Sequence, residues 1–280
     1  MDTLQLQDHP SRYRKWILRW MFGSYPDLLR FYLLGGRLSN APLIGRLIRL
    51  FLNQYGHIAH GGMALPLSEI DRVIDQASAI VAAECPCRAL VDACDLPRGN
   101  CLKLNTAGEV LLEAGEKGHR ISREEAKRIV AESHSRGMLL QLEWCINPFH
   151  YDICCCCACC CVARRLRFNH GAQGAIQAGP YVPRVDSGSC TGCMQCAAIC
   201  PAGAIGSASE IRIAMTDCVG CGLCQSVCPV SAIELVPTRA VRRKNAPSSL
   251  SIFIWWLGAI LVLVPAVMIL KPFLRRVSVR

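Results

Sequence analysis

The chain has 280 residues, a formal charge of +10 and 20 cysteines, a length that suits about two domains with buried cores. So many cysteines, in a chain neither short nor opened by a secretory signal, exclude a disulfide scaffold and point to thiolates held by metal in a reducing, cytosolic setting. The positive charge is not a nucleic-acid footprint, because the basic residues gather near the N-terminus and beside a C-terminal apolar segment rather than in an aromatic-interleaved stripe; that distribution suits an anionic lipid surface.

Residues 1–64 read as basic amphipathic helices. Arg12, Arg14, Lys15 and Arg19 interleave with Trp16, Ile17, Leu18, Trp20, Met21 and Phe22. A second helix is predicted from Asn40 as N-cap, with Pro42 in its first turn. Arg46, Arg49 and Asn53 share one face of it, and Leu43, Ile44, Leu47, Leu50, Phe51 and Leu52 cover the rest. Such helices lie in a membrane interface or dock on a protein surface.

Residues 65–168 read as a helical cysteine-rich domain. Ile70, Val73, Ile74, Ala77 and Ile80 recur at helical period, predicting a helix over 68–84. It delivers the chain to CPCRALVDACDLPRGNC, which supplies Cys85, Cys87, Cys94 and Cys101. Pro86, Pro97 and Gly99 impose turns that converge these four on one metal site. A capping box from Ser122 to Glu125 opens a helix to about residue 135. The strand-like MLLQLEW then leads to Cys145 and to ICCCCACCC, with Cys154, Cys155, Cys156, Cys157, Cys159, Cys160 and Cys161. Neighbouring side chains of an extended segment point to opposite sides, so only part of this block can face one site. Some of it is expected to join the quartet in one or two further clusters, with a zinc staple at the quartet, a thiol–disulfide block and lipidated cysteines as the alternatives. Among the histidines, His57 and His60 read as surface residues, His134 as exposed on its helix, and His150 and His170 as residues bracketing the cysteine block that could ligate or tune a cluster.

A linker at 169–184 precedes the most specific pattern in the chain. Residues 185–236 hold two runs: Cys190, Cys193, Cys196 and Cys200-Pro, then Cys218, Cys221, Cys224 and Cys228-Pro, each spaced Cys-x2-Cys-x2-Cys-x3-Cys. Three thiolates on a short loop hold three irons of a cubane, and a fourth must arrive from elsewhere. The repeat continues in CPAGAI and CPVSAI, with a strand predicted at 211–215. Ile205, Ile213 and Ile233 are placed to keep water off the sulfurs. This region resembles the two-[4Fe–4S] bacterial ferredoxins. The resemblance implies crosswise ligation: Cys190, Cys193, Cys196 and Cys228 for one cluster, and Cys218, Cys221, Cys224 and Cys200 for the other.

Over residues 65–236 the chain further resembles a family of bacterial and archaeal ferredoxin-type proteins with a CPCR quartet, an ISxEEA helix and an ICNCC-x-CCC block. The quartet matches at Cys85, Cys87, Cys94 and Cys101, and the block at Cys154, Cys156, Cys157, Cys159, Cys160 and Cys161; Cys155 stands where the family has Asn. The resemblance implies an iron–sulfur redox protein without specifying a substrate.

A basic linker at 237–249 leads to residues 250–270, twenty-one residues without a charge, followed by a basic tail at 271–280. As a helix this run rises ~31 Å, enough to span a bilayer. The expected fold class is therefore α+β: a two-cluster ferredoxin-like domain after a helical cysteine-rich domain, plus one C-terminal transmembrane helix. The expected function is single-electron transfer between a redox donor and acceptor, such as a membrane oxidoreductase complex, with no nucleic-acid partner. Membrane lipids would be a further partner, in a single-pass arrangement with the iron–sulfur domains facing the cytoplasm. The alternatives are an enzyme or an assembly factor with a catalytic or structural metal centre in the cysteine-rich part. Against catalysis, the chain carries no Gly-x-Gly-x2-Gly fingerprint, no phosphate loop and no Cys-x3-Cys-x2-Cys run.

Overall fold

The computed structural model describes residues 4–145, 148–207, 211–238 and 264–279. Its centre is a six-stranded antiparallel sheet of β1 (His60–Ala64), β2 (Ile80–Ala83), β3 (Cys101–Leu104), β4 (Gly118–Arg120), β5 (Leu139–Cys145) and β6 (His150–Cys156). The strands lie in the order β1-β5-β6-β3-β2-β4. The cysteine-rich part, expected to be helical, is thus built on strands.

Period-two alternation sorts the side chains between the two faces. Ile80, Ala82, Leu102, Leu104, Leu140, Leu142 and Ile153 face α3 (Leu67–Gln76) and α6 (Arg123–Ser135). There Ile70, Val73 and Ile74 are fully buried, each contributing roughly 1.5–3 kcal/mol. Val81, Ala83 and Tyr151 face the other way, into a core closed by α1 (Arg12–Leu38), α5 (Thr106–Glu113) and α7 (Val162–His170). The helix α2 (Gly45–Ile58) packs beside α1 and β1.

Two local predictions shift. The helix expected over 68–84 stops at Gln76, and Ile80–Ala83 is the fully buried strand β2. The side chain of Asn105 explains the break: its Oδ1 accepts the backbone N–H groups of Ser78 (2.8 Å) and Ala79 (3.2 Å), diverting them from helical partners. The N-cap of α6 forms as read, with Ser122 Oγ accepting from Glu125 N at 3.1 Å. Asn40 does not cap α2, whose N-cap is Ile44; its amide lies 3.0 Å from His170 Nδ1 instead.

The repeated cysteine runs fold as two similar halves. Their elements are β7 (Tyr181–Val185), α8 (Gln195–Ile199), β8 (Ile205–Ser207), β9 (Ile211–Ile213), α9 (Leu223–Ser226) and β10 (Ile233–Pro237), with β7 paired to β10 and β8 to β9. The twenty-eight-residue period reappears in the backbone. Positive φ falls at Gly192 and Gly220, at Met194 and Gly222, and at Gly203 and Ser231. Met194, at φ +59°, adopts in the first half what glycine adopts in the second, a conformation that costs a side-chain-bearing residue energy.

The transmembrane helix and the single-pass placement are overturned. No helix among the described residues is long and apolar enough to cross a membrane. Residues 250–263 of the apolar run lie outside the described residues. The rest belongs to α10, Val264–Leu274, eleven residues long, or ~16 Å. This helix docks on α1, burying Val267 and Leu274 in the core it shares with Leu18 and Phe22. Lys271 Nζ lies 3.3 Å from the buried Asp27 Oδ2. The apolar residues that suggested a bilayer are thus partly spent on an intramolecular contact. Leu43 and Ile44 just ahead of α2, and Leu47, Leu50 and Phe51 on it, are exposed.

Candidate metal centres

In the dicluster region each cysteine run wraps a loop ahead of a short helix, and the fourth cysteine of each run is carried toward the opposite half. Cys190, Cys193, Cys196 and Cys228 line one small cavity, and Cys200, Cys218, Cys221 and Cys224 line a second. The two sites share an apolar cluster of Cys196, Ile205, Cys224 and Ile233, with Ile213 half-buried at its edge. Backbone N–H groups donate to sulfur in matching fashion, Ala204 to Cys200 at 3.3 Å and Ala232 to Cys228 at 3.2 Å. Such bonds favour thiolate and tune cluster potential. Burial pushes the free Cys221 and Cys224 thiols up to about 12, so metal capture there displaces bound protons. A donor set of four sulfurs around an apolar hollow fits an iron–sulfur cluster and suits a hard cation poorly.

The other cysteines do not form the single quartet the sequence suggested. Cys94 leaves its neighbours and meets Cys157, Cys159 and Cys160, all four sulfurs lying within 4.8 Å of one another. Cys94 Sγ is 3.6 Å from Cys160 Sγ. Backbone N–H groups of Ala93 and Cys160 donate to Cys160 Sγ and Cys157 Sγ, each at 3.4 Å.

Cys85, Cys87 and Cys101 join Cys154, Cys156 and Cys161 around a cavity of about 90 Å3 between the sheet and the α1–α2 layer. The six thiols perturb one another's protonation around the cavity, Cys85 with Cys87, Cys161 with Cys87 and Cys156, and Cys154 with Cys156 and Cys101. Cys161 caps α7 and accepts from Arg164 N at 3.4 Å. Hydrogen bonds from Cys156 and Cys87 hold its thiol well below the usual range, with the helix N-terminus adding to them. The hydrogen bond from Cys87, with Arg88 nearby, lowers Cys85 to about 6.

Strand parity explains this sorting. Cys154 and Cys156 project from β6 toward the cavity, while Cys155 packs with Ile153, Leu140 and Met138 on the opposite face. The remaining cysteine, Cys145, is buried in the α1 core, where burial raises its thiol to about 12.

Several residues that the sequence reading passed over hold this arrangement. Arg88, almost fully buried, brings its charge to bear on Cys85 of one thiol set and Cys157 of the other. It also donates to Cys155 O at 3.1 Å and to the Asn100 side chain. Lys103 and Asp152 form a buried ion pair at 2.5 Å, each side chain 1% exposed. Asp152 further accepts from the thiols of Cys101 (3.1 Å) and Cys154 (3.4 Å). With Lys103 already upon it, this carboxylate serves as a hydrogen-bond acceptor for the thiols. The available signal was parity: Lys103 and Asp152 are lone charges in otherwise apolar strands, in step with Cys101 and Cys154.

The histidines also differ from their reading. His60 is half-buried, joining Tyr32 and Tyr151, and His134 is buried against the Cys221 backbone. His150 lies at the far end of β6 from the thiols, its Nδ1 accepting from Gln7 N at 3.0 Å. His170 contacts Asn40.

Burial holds His150 down to about 4. A group depressed from 6.5 contributes stability that is complete above pH 6.5 and disappears as the pH falls toward 4. That amounts to about 3 kcal/mol. His150→Gln, which keeps an acceptor for Gln7, should flatten the acid limb of a urea-stability profile between pH 6.5 and 4 by that amount. An unchanged profile would show that His150 is charged in the folded chain.

The two four-cysteine hollows fit a pair of iron–sulfur clusters within one small domain. Residues 189–232 match the family described as 4Fe–4S dicluster domain. No curated protein matches the chain.

Proposed function

We propose that this protein carries single electrons through two crosswise-ligated [4Fe–4S] clusters to further thiolate-bound metal on the sheet, between a redox protein donor and an acceptor. When bound, such clusters supply reversible one-electron exchange. The observation that carries the reading is the packing of the second half against the sheet. Cys221, Val219 and Leu223 share one apolar cluster with Cys156 and Cys161, and Gly179 N donates to Val219 O at 3.0 Å. The Cys200/218/221/224 site is therefore the inner one. The other half carries the exposed Cys193 and forms the outer site, facing a soluble partner.

Within this reading the chain's own residues have definite tasks. Ile205 and Ile233 exclude water from the sulfurs, and the N–H donors at Ala204 and Ala232 offset thiolate charge. Arg88 compensates the two thiol sets it joins.

A second reading applies to the Cys94/157/159/160 tetrad alone. Four sulfurs on one tetrahedral ion stand about 3.8 Å apart for metal–sulfur bonds near 2.3 Å. The 3.6 Å Cys94–Cys160 separation favours a single structural ion there, zinc or iron.

Iron, acid-labile sulfide and zinc counts on anaerobically prepared full chain, with EPR after reduction, test both readings. About eight irons with matching sulfide belong to the dicluster region, and twelve or more establish a further cluster. One zinc lost in Cys94→Ser assigns the tetrad to a structural ion. A colourless protein without iron would sink the electron-transfer reading.

A further inference from the structure

Among the residues lining the cavity, five polar side chains form one continuous line. Tyr55 Oη lies 2.9 Å from Tyr32 Oη, which lies 3.0 Å from His60 Nδ1. His60 Nε2 lies 2.7 Å from Tyr151 Oη, which donates to Glu143 Oε2 at 2.8 Å. All five side chains line the cavity. The line starts on α2, whose other face is exposed, and ends at Glu143, across the strand pair from Asp152 and within the field of Cys161.

We propose that the six-thiol cage is a proton-coupled redox centre, taking electrons from the inner dicluster site and protons along Tyr55, Tyr32, His60, Tyr151 and Glu143. This rests on the electron-transfer reading above and adds to it a proton path and a terminus. The cofactor class it takes is thiolate-ligated iron, which the six-sulfur donor set suits.

Lys103 on β3 is matched by Asp152 on β6 and Arg88 already faces Cys85 and Cys157, so each further electron on the buried cage adds negative charge that a low-dielectric interior resists. The groups facing Glu143 are Asp152 and Tyr151 from β6, Lys103 from β3, His60 from β1 and Cys161 from the start of α7. Burial beside Asp152 raises its carboxyl to about 8, so Glu143 is open to take a proton near and above that pH, where the step and its test are set.

The step balances one electron against one proton. The electron comes from a reduced dicluster site and the proton from solvent at Tyr55. Each phenol passes one proton inward and receives one from outside. His60 accepts at Nδ1 and gives from Nε2, and the Glu143 carboxylate keeps the last proton. No net charge is then added to the site. A purely structural line would satisfy the same buried hydroxyls, so the test must read proton movement.

The full chain, loaded with iron and sulfide without oxygen, is reduced by dithionite in H2O and in D2O, with rapid-freeze EPR separating dicluster and cage signals. Cage reduction is expected to slow in D2O while the dicluster is indifferent. Tyr151→Phe, which keeps the ring and removes the link between His60 and Glu143, should slow cage reduction by about tenfold or more. Tyr32→Phe, further out and on a different element, should do the same and covers the case where Tyr151→Phe fails to fold. Wild-type cage rates without an isotope effect in the folded variants, or a cage that binds no iron, would overturn the proposal. A dicluster that itself refuses electrons would overturn the electron-transfer reading instead.

Discussion

Replacing Cys200 by serine is expected to extinguish the cluster held by the other cysteine run, not the one held by its own. Cys200 lines the hollow formed by Cys218, Cys221 and Cys224, and Cys228 lines that of Cys190, Cys193 and Cys196. The EPR spectrum of reduced Cys200→Ser should therefore match that of Cys221→Ser, and Cys228→Ser should match Cys193→Ser. Each variant should lose about four irons or retain a damaged, oxygen-labile cluster. If Cys200→Ser pairs spectrally with Cys193→Ser, ligation is local to each run and the crosswise assignment fails. The site of Cys200 and Cys221 is the one packed against the sheet. Its loss should also slow delivery of electrons to any metal on the sheet, whereas loss of the outer site leaves the inner contact intact.

The second large effect is one of stability. Lys103→Met should destabilise the full chain by about 3–5 kcal/mol, because it strands the Asp152 carboxylate in a site with almost no solvent. Lys103 also lies within 5.5 Å of the ring centroids of Phe22, Tyr25 and Tyr151, contacts that a cation makes and methionine does not. Adding Asp152→Asn to Lys103→Met removes the stranded charge and should recover a large part of the loss. Urea unfolding of the wild type, both single variants and the double variant closes the cycle. A loss below about 1 kcal/mol for Lys103→Met would mean that the pair is not a stabilising element of the folded chain.

Legibility in the sequence followed the distance over which each feature is determined. The dicluster motif is local: spacing within eleven residues fixes a loop and a short helix, so the matched domain stood out at once. The sheet is not local. Its strands pair across long separations, and the tetrad joins Cys94 to Cys160, sixty-six residues apart. The turns among Cys85, Cys87, Cys94 and Cys101 suggested one site, yet α4 (Pro86–Val91) and β3 send Cys94 away from Cys101. Helical period over 68–84 concealed β2, because Ile80 satisfies either pattern and the deciding group, Asn105, lies downstream. Alternation did foretell that the ICCCCACCC block must divide, though it could not say which parity faced the cavity. The C-terminal apolar run failed for a related reason. Hydrophobicity says that a segment must be covered without naming the cover, and part of it is covered by α1.

The division of sulfur on β6 has a consequence for maturation. A one-residue slip would carry Cys155 into the cage and remove both Cys154 and Cys156 from it. Slipped one way, Ile153 takes the place of a donor in the cage; slipped the other way, Cys157 enters the cage beside Cys155 and is lost to the Cys94/157/159/160 tetrad, so either misalignment leaves one of the two sites a donor short. Loading would then act as proofreading, because only a correctly aligned ladder gains the binding free energy that secures it.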